Sequence, residues 1–151
     1  MNISVDLIKQ LREETQAPVA DCRTVLEEAN GDIKKARELL VKKGFEKAEK
    51  KVGRATKQGV IDAYIHQNAR VGTMVELLCE TDFVARTSEF KTLARELAMQ
   101  ITAMEPNDVK SLLKQEYIRD SSKTVSDLLK ETIAKLGENI AVARFDRFEI
   151  G

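Results

Sequence analysis

Residue types that carry chemistry are sparse in this chain. It has one histidine, His66, beside a turn and without a nucleophile or metal-ligand motif around it. It reads as a surface or half-buried histidine. The sequence holds no phosphate-binding P-loop and no dinucleotide glycine fingerprint, and no ligand spacing suits a metal. Most carboxylates lie beside lysines on helix faces, the pattern of solvated helices. The segment Glu80-Thr81-Asp82-Phe83-Val84-Ala85-Arg86 differs. It joins a strand to a helix that has its own caps in Thr87 or Ser88, with Glu89 in the first turn. Asp82 is therefore not needed as a cap, and Phe83 lies off the apolar stripe. An acid beside an aromatic can probe a partner's pocket, where an aromatic anchor contributes most when fully desolvated. In the alternative reading, Phe83 folds back over the sheet edge and Asp82 makes a turn. The available chemistry is recognition rather than bond-breaking.

The elements that must position this segment follow from periodicity. Ser4 can cap a first helix carrying Leu7, Ile8 and Leu11. Pro18 suits the first turn of a second, with Cys22, Val25, Leu26 and Ala29 on its buried face. Asn30-Gly31 stops that helix, since both tolerate the left-handed conformation. Asp32 starts a third helix, with Ile33, Ala36, Leu39 and Leu40 inward and Gly44 as its expected end. Residues 46–58 read as a basic, solvated linker: Lys47, Lys50, Lys51, Arg54 and Lys57 outnumber Glu46 and Glu49. From Gly59 the period becomes two, with Ile61, Ala63 and Ile65 alternating with Val60, Asp62, Tyr64 and His66. Val75, Leu77 and Cys79 form a second strand after a loop of about five residues, a hairpin signature. Phe90, Leu93, Ala94, Leu97, Ile101 and Met104 mark a helix that Pro106 ends. Val109 to Tyr117 reads as a further helical piece. Val125, Leu128, Leu129, Ile133 and Leu136 mark another helix, closed by Gly137, and residues 139–150 form a last strand. The expected class is α+β: three helices in residues 1–45, then a core in 59–151 with a three-stranded antiparallel sheet packed against helices.

Composition narrows the function classes. Basic and acidic residues balance at 25 each, which argues against a dedicated DNA-binding protein. At 33% charged and 42% hydrophobic residues the profile is that of a folded domain. No apolar run approaches the roughly 18 residues that cross a bilayer, and the start of the chain matches neither a secretory nor a transit signal. A cytoplasmic location is expected. Cys22 and Cys79 lie far apart and outside any CxxC pair, so they read as small buried residues of a reducing compartment.

Leu7 to Thr15, Asp21-Cys22-Arg23, Glu28-Ala29-Asn30-Gly31-Asp32, Thr81 to Arg86 with Phe90, Gly137-Glu138-Asn139-Ile140 and Arg147-Phe148 together resemble the translation elongation factor Ts family. The resemblance implies a guanine nucleotide exchange factor, not an enzyme, that needs no cofactor. Its implied partner is elongation factor Tu carrying GDP. The first three helices would form a ubiquitin-associated-like bundle against the GTPase domain, with Arg12, Val19 and Ala20 in contact. Thr81, Asp82, Phe83 and Val84 would form the magnesium-displacing segment, and loss of magnesium weakens GDP binding. The chain departs from the family at Gln16-Ala17-Pro18-Val19-Ala20, where a glycine-rich turn and paired methionines are common. It departs again at Ala143, which precedes Arg144 where two arginines are common.

Length adds an expectation. Longer members carry two related half-modules, and 151 residues leave room for one. A single three-stranded sheet is a marginal unit with open edges, so a homodimer is expected. No membrane contact and no direct nucleic-acid contact are expected. The competing readings are an adaptor that uses only the bundle, and an RNA-binding accessory protein that uses the run from Lys47 to Lys57. Neither requires the Asp82-Phe83 segment.

Overall fold

A computed structural model describes residues 2–151. The chain begins with three helices, α1 (Val5–Thr15), α2 (Val19–Glu28) and α3 (Ile33–Lys51). Their boundaries are written in local polar groups. The Ser4 hydroxyl accepts from the Leu7 N–H at 3.2 Å, and an Asp32 carboxylate oxygen accepts from Lys35 N–H at 3.2 Å, which satisfies donors that have no partner inside the helix. Pro18 occupies the cap position of α2, one residue before the first turn. Asn30 and Gly31 both take positive φ after α2, at 52° and 81°, and the Gly31 N–H closes the turn onto Leu26 O. Leu11, Cys22, Val25, Leu26, Ala29 and Ala36 are buried together as the bundle's core.

Gly44 does not end the third helix, as the sequence suggested. α3 runs on to Lys51, so the first part of the basic run is helical. The cause is α7 (Val125–Leu136), which packs along α3. A Cβ at Gly44 would lie 3.2 Å from the Ala134 Cβ, so glycine here lets two helices approach closely rather than ending one. Ala48 is buried in the main core. Lys130 lies over the Phe45 ring at 5.6 Å, and it pairs with Glu49 at 3.7 Å.

The main sheet is antiparallel, in the order β1 (Gln58–Ile65), β2 (Val71–Cys79), β5 (Ile140–Glu149). One face carries Val60, Tyr64, Val75, Leu77, Cys79, Ile140, Val142 and Phe145. Over β1 and β2 it is covered by α5 (Ser88–Met104) through Phe90, Leu93, Ala94, Leu97, Ala98 and Ile101, and further helices complete the core towards β5. Met104, expected on this stripe, is exposed in the last turn of α5. The opposite face carries Ile61, Ile65, Met74 and Phe148, all exposed. Among the described residues no helix covers it. A register shift opposite Glu76 and Leu77 leaves Ala143 unpaired in β5.

The helical reading of Val109 to Tyr117 holds only for α6 (Val109–Lys114). The chain then forms a small hairpin, β3 (Glu116–Tyr117) and β4 (Asp120–Thr124). Buried Gln100 dictates this: its amide donates to Gln115 Oε1 and Glu116 O at 3.1 and 3.0 Å, and its oxygen accepts from Ile118 N–H at 2.9 Å. The Tyr117 hydroxyl adds a bond to Glu96 Oε2 at 2.8 Å.

Burial, with the bond to Glu96, pushes the Tyr117 phenol up to about 12. The neutral phenol is favoured in the folded chain, so this stability is intact below pH 10 and is lost as pH rises from 10 to 12. A two-unit shift corresponds to about 2.7 kcal/mol at most. Urea unfolding should therefore show a falling midpoint across that window. Tyr117→Phe should flatten this part of the slope, and an unchanged slope would show that Tyr117 is not its source.

Candidate functional site

β2 delivers the chain from Cys79 through Glu80 and Thr81 into α4 (Asp82–Ala85), a single helical turn. The expected loop is therefore ordered as helix, and Thr81 rather than Asp82 is its cap. The Thr81 hydroxyl accepts from Val84 N–H at 3.3 Å. Six residues on, Thr87 caps α5 by accepting from Phe90 N–H at 3.2 Å, while its hydroxyl donates to Val84 O at 2.7 Å. Two capped helices thus meet at a fixed corner. α4 packs on β1, β2 and α5, burying Val84 and Ala85.

The outer side of that turn is open. Phe83 is 78% exposed, so it does not fold back over the sheet edge. Asp82 is also exposed, and its Oδ2 pairs with Arg86 Nη2 at 2.8 Å, one turn on. An exposed ion pair of this kind contributes little to stability. Neither Asp82 nor Phe83 is explained by the core, whereas Val84 and Ala85 are.

The segment before the turn is held from a distance. Glu138, in the link between α7 and β5, accepts from the Glu80 N–H at 3.2 Å and the Thr81 N–H at 3.0 Å through Oε1. Its Oε2 accepts from the Thr81 hydroxyl at 2.7 Å. Glu80 answers by accepting from Asn139 N–H at 2.6 Å, and the Asn139 amide donates to Arg54 O at 3.0 Å. Gly137 makes the link possible: it ends α7 at φ 75°, a left-handed conformation. The Cys79 thiol donates to Thr81 O at 3.1 Å. Burial, then the Glu138 charge, pushes that thiol up. Burial likewise pushes up Cys22, and both cysteines are free and buried, as two small interior residues should be.

The other sequence-marked residues fall elsewhere. Arg12 is in the last turn of α1, and Val19 and Ala20 open α2, all three exposed at one corner of the bundle. Arg12 also lines a groove of about 600 Å³ between the bundle and α7, with Pro18, Val41, Phe45 and Ala134. This corner belongs to different elements from α4, so the marked residues fall in two separate places on the chain. His66 is exposed at the β1–β2 turn, its Nδ1 3.2 Å from the Tyr64 hydroxyl. Glu80 opens the segment that stands out in the sequence, and Glu138 and Asn139 belong to a block that carries the family resemblance, but nothing in the sequence shows that these residues bond to one another.

A sequence profile of the family described as elongation factor TS matches residues 80–151, the stretch from the end of β2 through the last strand. Similarity to individual proteins extends over the whole chain. Elongation factor Ts of Thermotoga neapolitana is 46% identical, with 100% of this chain and 98% of that protein covered. The protein of the same name in Thermotoga maritima is 47% identical over the same shares. That of Coprothermobacter proteolyticus is 43% identical, covering 100% of both. The Thermotoga alignments span 194 positions against 151 residues here, so those relatives hold at least 43 positions without a counterpart. With identity at this level over its full length, the chain belongs to the elongation factor Ts family of translation elongation factors.

Proposed function

We propose that this chain is a guanine nucleotide exchange factor for elongation factor Tu, acting in translation elongation in the cytoplasm. The observation that carries the reading is the exposed Phe83 beside Asp82, on a helical turn capped at both ends. The segment Thr81, Asp82, Phe83 and Val84 meets the GTPase domain near the nucleotide, with exposed Asp82 and Phe83 entering to displace the partner's magnesium and Thr81 and Val84 holding the turn. With that charge removed, the GDP phosphates are held less tightly and leave, after which GTP enters. The chain breaks no bond, so it lowers a release barrier without being an enzyme. Arg12, Val19 and Ala20, on the helical bundle of residues 1–45, supply a second contact with the GTPase domain. Two surfaces on one rigid chain hold the partner more firmly than either does alone.

The working unit is a homodimer. The open sheet face presents Ile61, Ile65, Met74 and Phe148 to solvent, and apolar faces of this kind mark association sites. A second copy laid face to face would form a two-layer β-sandwich. A two-fold arrangement satisfies the same patch on both copies.

Stopped-flow GDP release from elongation factor Tu tests the exchange reading. Phe83→Ala should remain folded, since the residue is 78% exposed and outside the core. Burial of an aromatic contributes about 1.5–3 kcal/mol, so release should slow roughly tenfold or more. Wild-type rates from the folded variant would remove Phe83 from the mechanism. Analytical ultracentrifugation tests the dimer: the wild-type chain should sediment at twice 17.0 kDa at micromolar concentration, and Met74→Lys at the monomer mass. A wild-type monomer with full exchange activity would show that one copy suffices.

A further inference from the structure

The exposed Phe83 poses a physical problem. A probe that lies outside the core takes its direction mainly from the backbone beneath it, and that backbone is one helical turn. A turn this short does not hold itself together, because fixing its dihedrals yields too few hydrogen bonds. Its inner face is pinned by buried Val84 and Ala85, and its start is pinned by the Thr81 cap. The β2–β5 ladder ends at the pair Cys79↔Ile140, so Glu80 and Thr81 lie just past the last backbone pairing. What continues the connection is side chain to backbone. The Glu138 carboxylate takes the N–H groups of Glu80 and Thr81, and the Glu80 carboxylate takes the N–H of Asn139. Such bonds involve a charged acceptor and are among the stronger kinds.

We propose that Glu138 is the positioning residue of the exchange wedge, acting through the hydroxyl of Thr81; this rests on reading Asp82-Phe83 as that wedge. A hydroxyl has one proton and two lone pairs. Glu138 Oε2, 2.7 Å away, fixes where the proton goes, which leaves a lone pair facing Val84 N–H at 3.3 Å. The carboxylate thus selects the hydroxyl rotamer that caps α4. It also fixes the peptide planes on either side of the cap. The link runs from Glu138 to Thr81 to Val84 and so to the turn that aims Phe83, across 57 residues of sequence. A pre-aimed side chain loses less freedom on entering a pocket. Glu138 therefore raises the rate of the step in which Phe83 enters, while the bundle corner, built from other elements, still provides binding.

The test is stopped-flow GDP release from elongation factor Tu at a series of factor concentrations. Loss of hydrogen bonds to a charged group that matter in the transition state should lower the maximal rate of Glu138→Ala by about tenfold. The half-saturating concentration should move by less than about threefold. Glu138→Gln keeps an oxygen for the two N–H groups but puts a donor NH2 where Oε2 accepts the Thr81 proton, so it should recover only part of the loss. Thr81→Val leaves Glu138 and its two N–H bonds in place and should lower the maximal rate in the same way; it serves if Glu138→Ala does not fold. The double variant Glu138→Ala/Phe83→Ala should release GDP no more slowly than Phe83→Ala alone, because a misaimed probe and a missing probe are one defect. Hydrogen exchange should show faster exchange confined to the amides of residues 80–86. Wild-type rates for Glu138→Ala and Thr81→Val, with Phe83→Ala slow, would overturn the inference and leave the wedge reading standing. Multiplicative losses in the double variant would also overturn it. Wild-type rates for Phe83→Ala would overturn the wedge reading and this inference with it.

Discussion

Burial of one face of a three-stranded sheet under helices, chiefly α5, is the constraint on which the rest of the molecule depends. β2 is the central strand, and its Val75, Leu77 and Cys79 meet the α5 stripe of Phe90, Leu97 and Ile101 in one fully buried layer. Each such side chain contributes about 1.5–3 kcal/mol when taken from water. The layer sets the direction of β2, and the direction of β2 sets where the chain leaves the sheet. That exit leads into α4, the segment proposed as the wedge. Because the helices lie on one face only, the same constraint leaves Ile61, Ile65, Met74 and Phe148 uncovered. The surface proposed for association and the segment proposed for exchange are two results of one packing choice.

The wedge shows how a small protein presents an apolar group to solvent without losing its fold. Val84 and Ala85 face the core, while Asp82 and Phe83 face out. The short turn is bounded by Thr81 at its start and Thr87 just beyond its end. The cost of exposing Phe83 is offset within the same turn. The N-terminal bundle is not loosely attached to this core either, since α3 continues past Gly44 and lies along α7. A rigid relation between bundle and core is what a two-point grip on a partner needs.

Features that obey local rules were legible in the sequence. Ser4, Asp32 and Thr87 cap helices because a side-chain oxygen two or three residues from a free N–H needs no tertiary context. The β1–β2 hairpin and the α5 stripe followed from periodicity. Features that depend on distant partners were not legible. Gly44 reads as a helix end until Ala134, far along the chain, is known to lie against it. The β3–β4 hairpin exists because Gln100 is buried and fully bonded, and a glutamine on a helix gives no sign of that. Pattern alone left open whether Phe83 folded back, since both outcomes use the same residues. The Glu138 contacts reach across 57 residues and have no period at all.

The central claim is that Phe83 waits in solvent and is buried when the partner binds. The chain has no tryptophan, so Phe83→Trp carries its only indole. Its emission should be that of a water-exposed indole in the free protein. On saturation with elongation factor Tu carrying GDP, it should shift to the blue and become shielded from acrylamide, after subtraction of the same complex made with the unsubstituted chain. Unchanged emission and unchanged quenching in a complex shown to have formed would contradict the account.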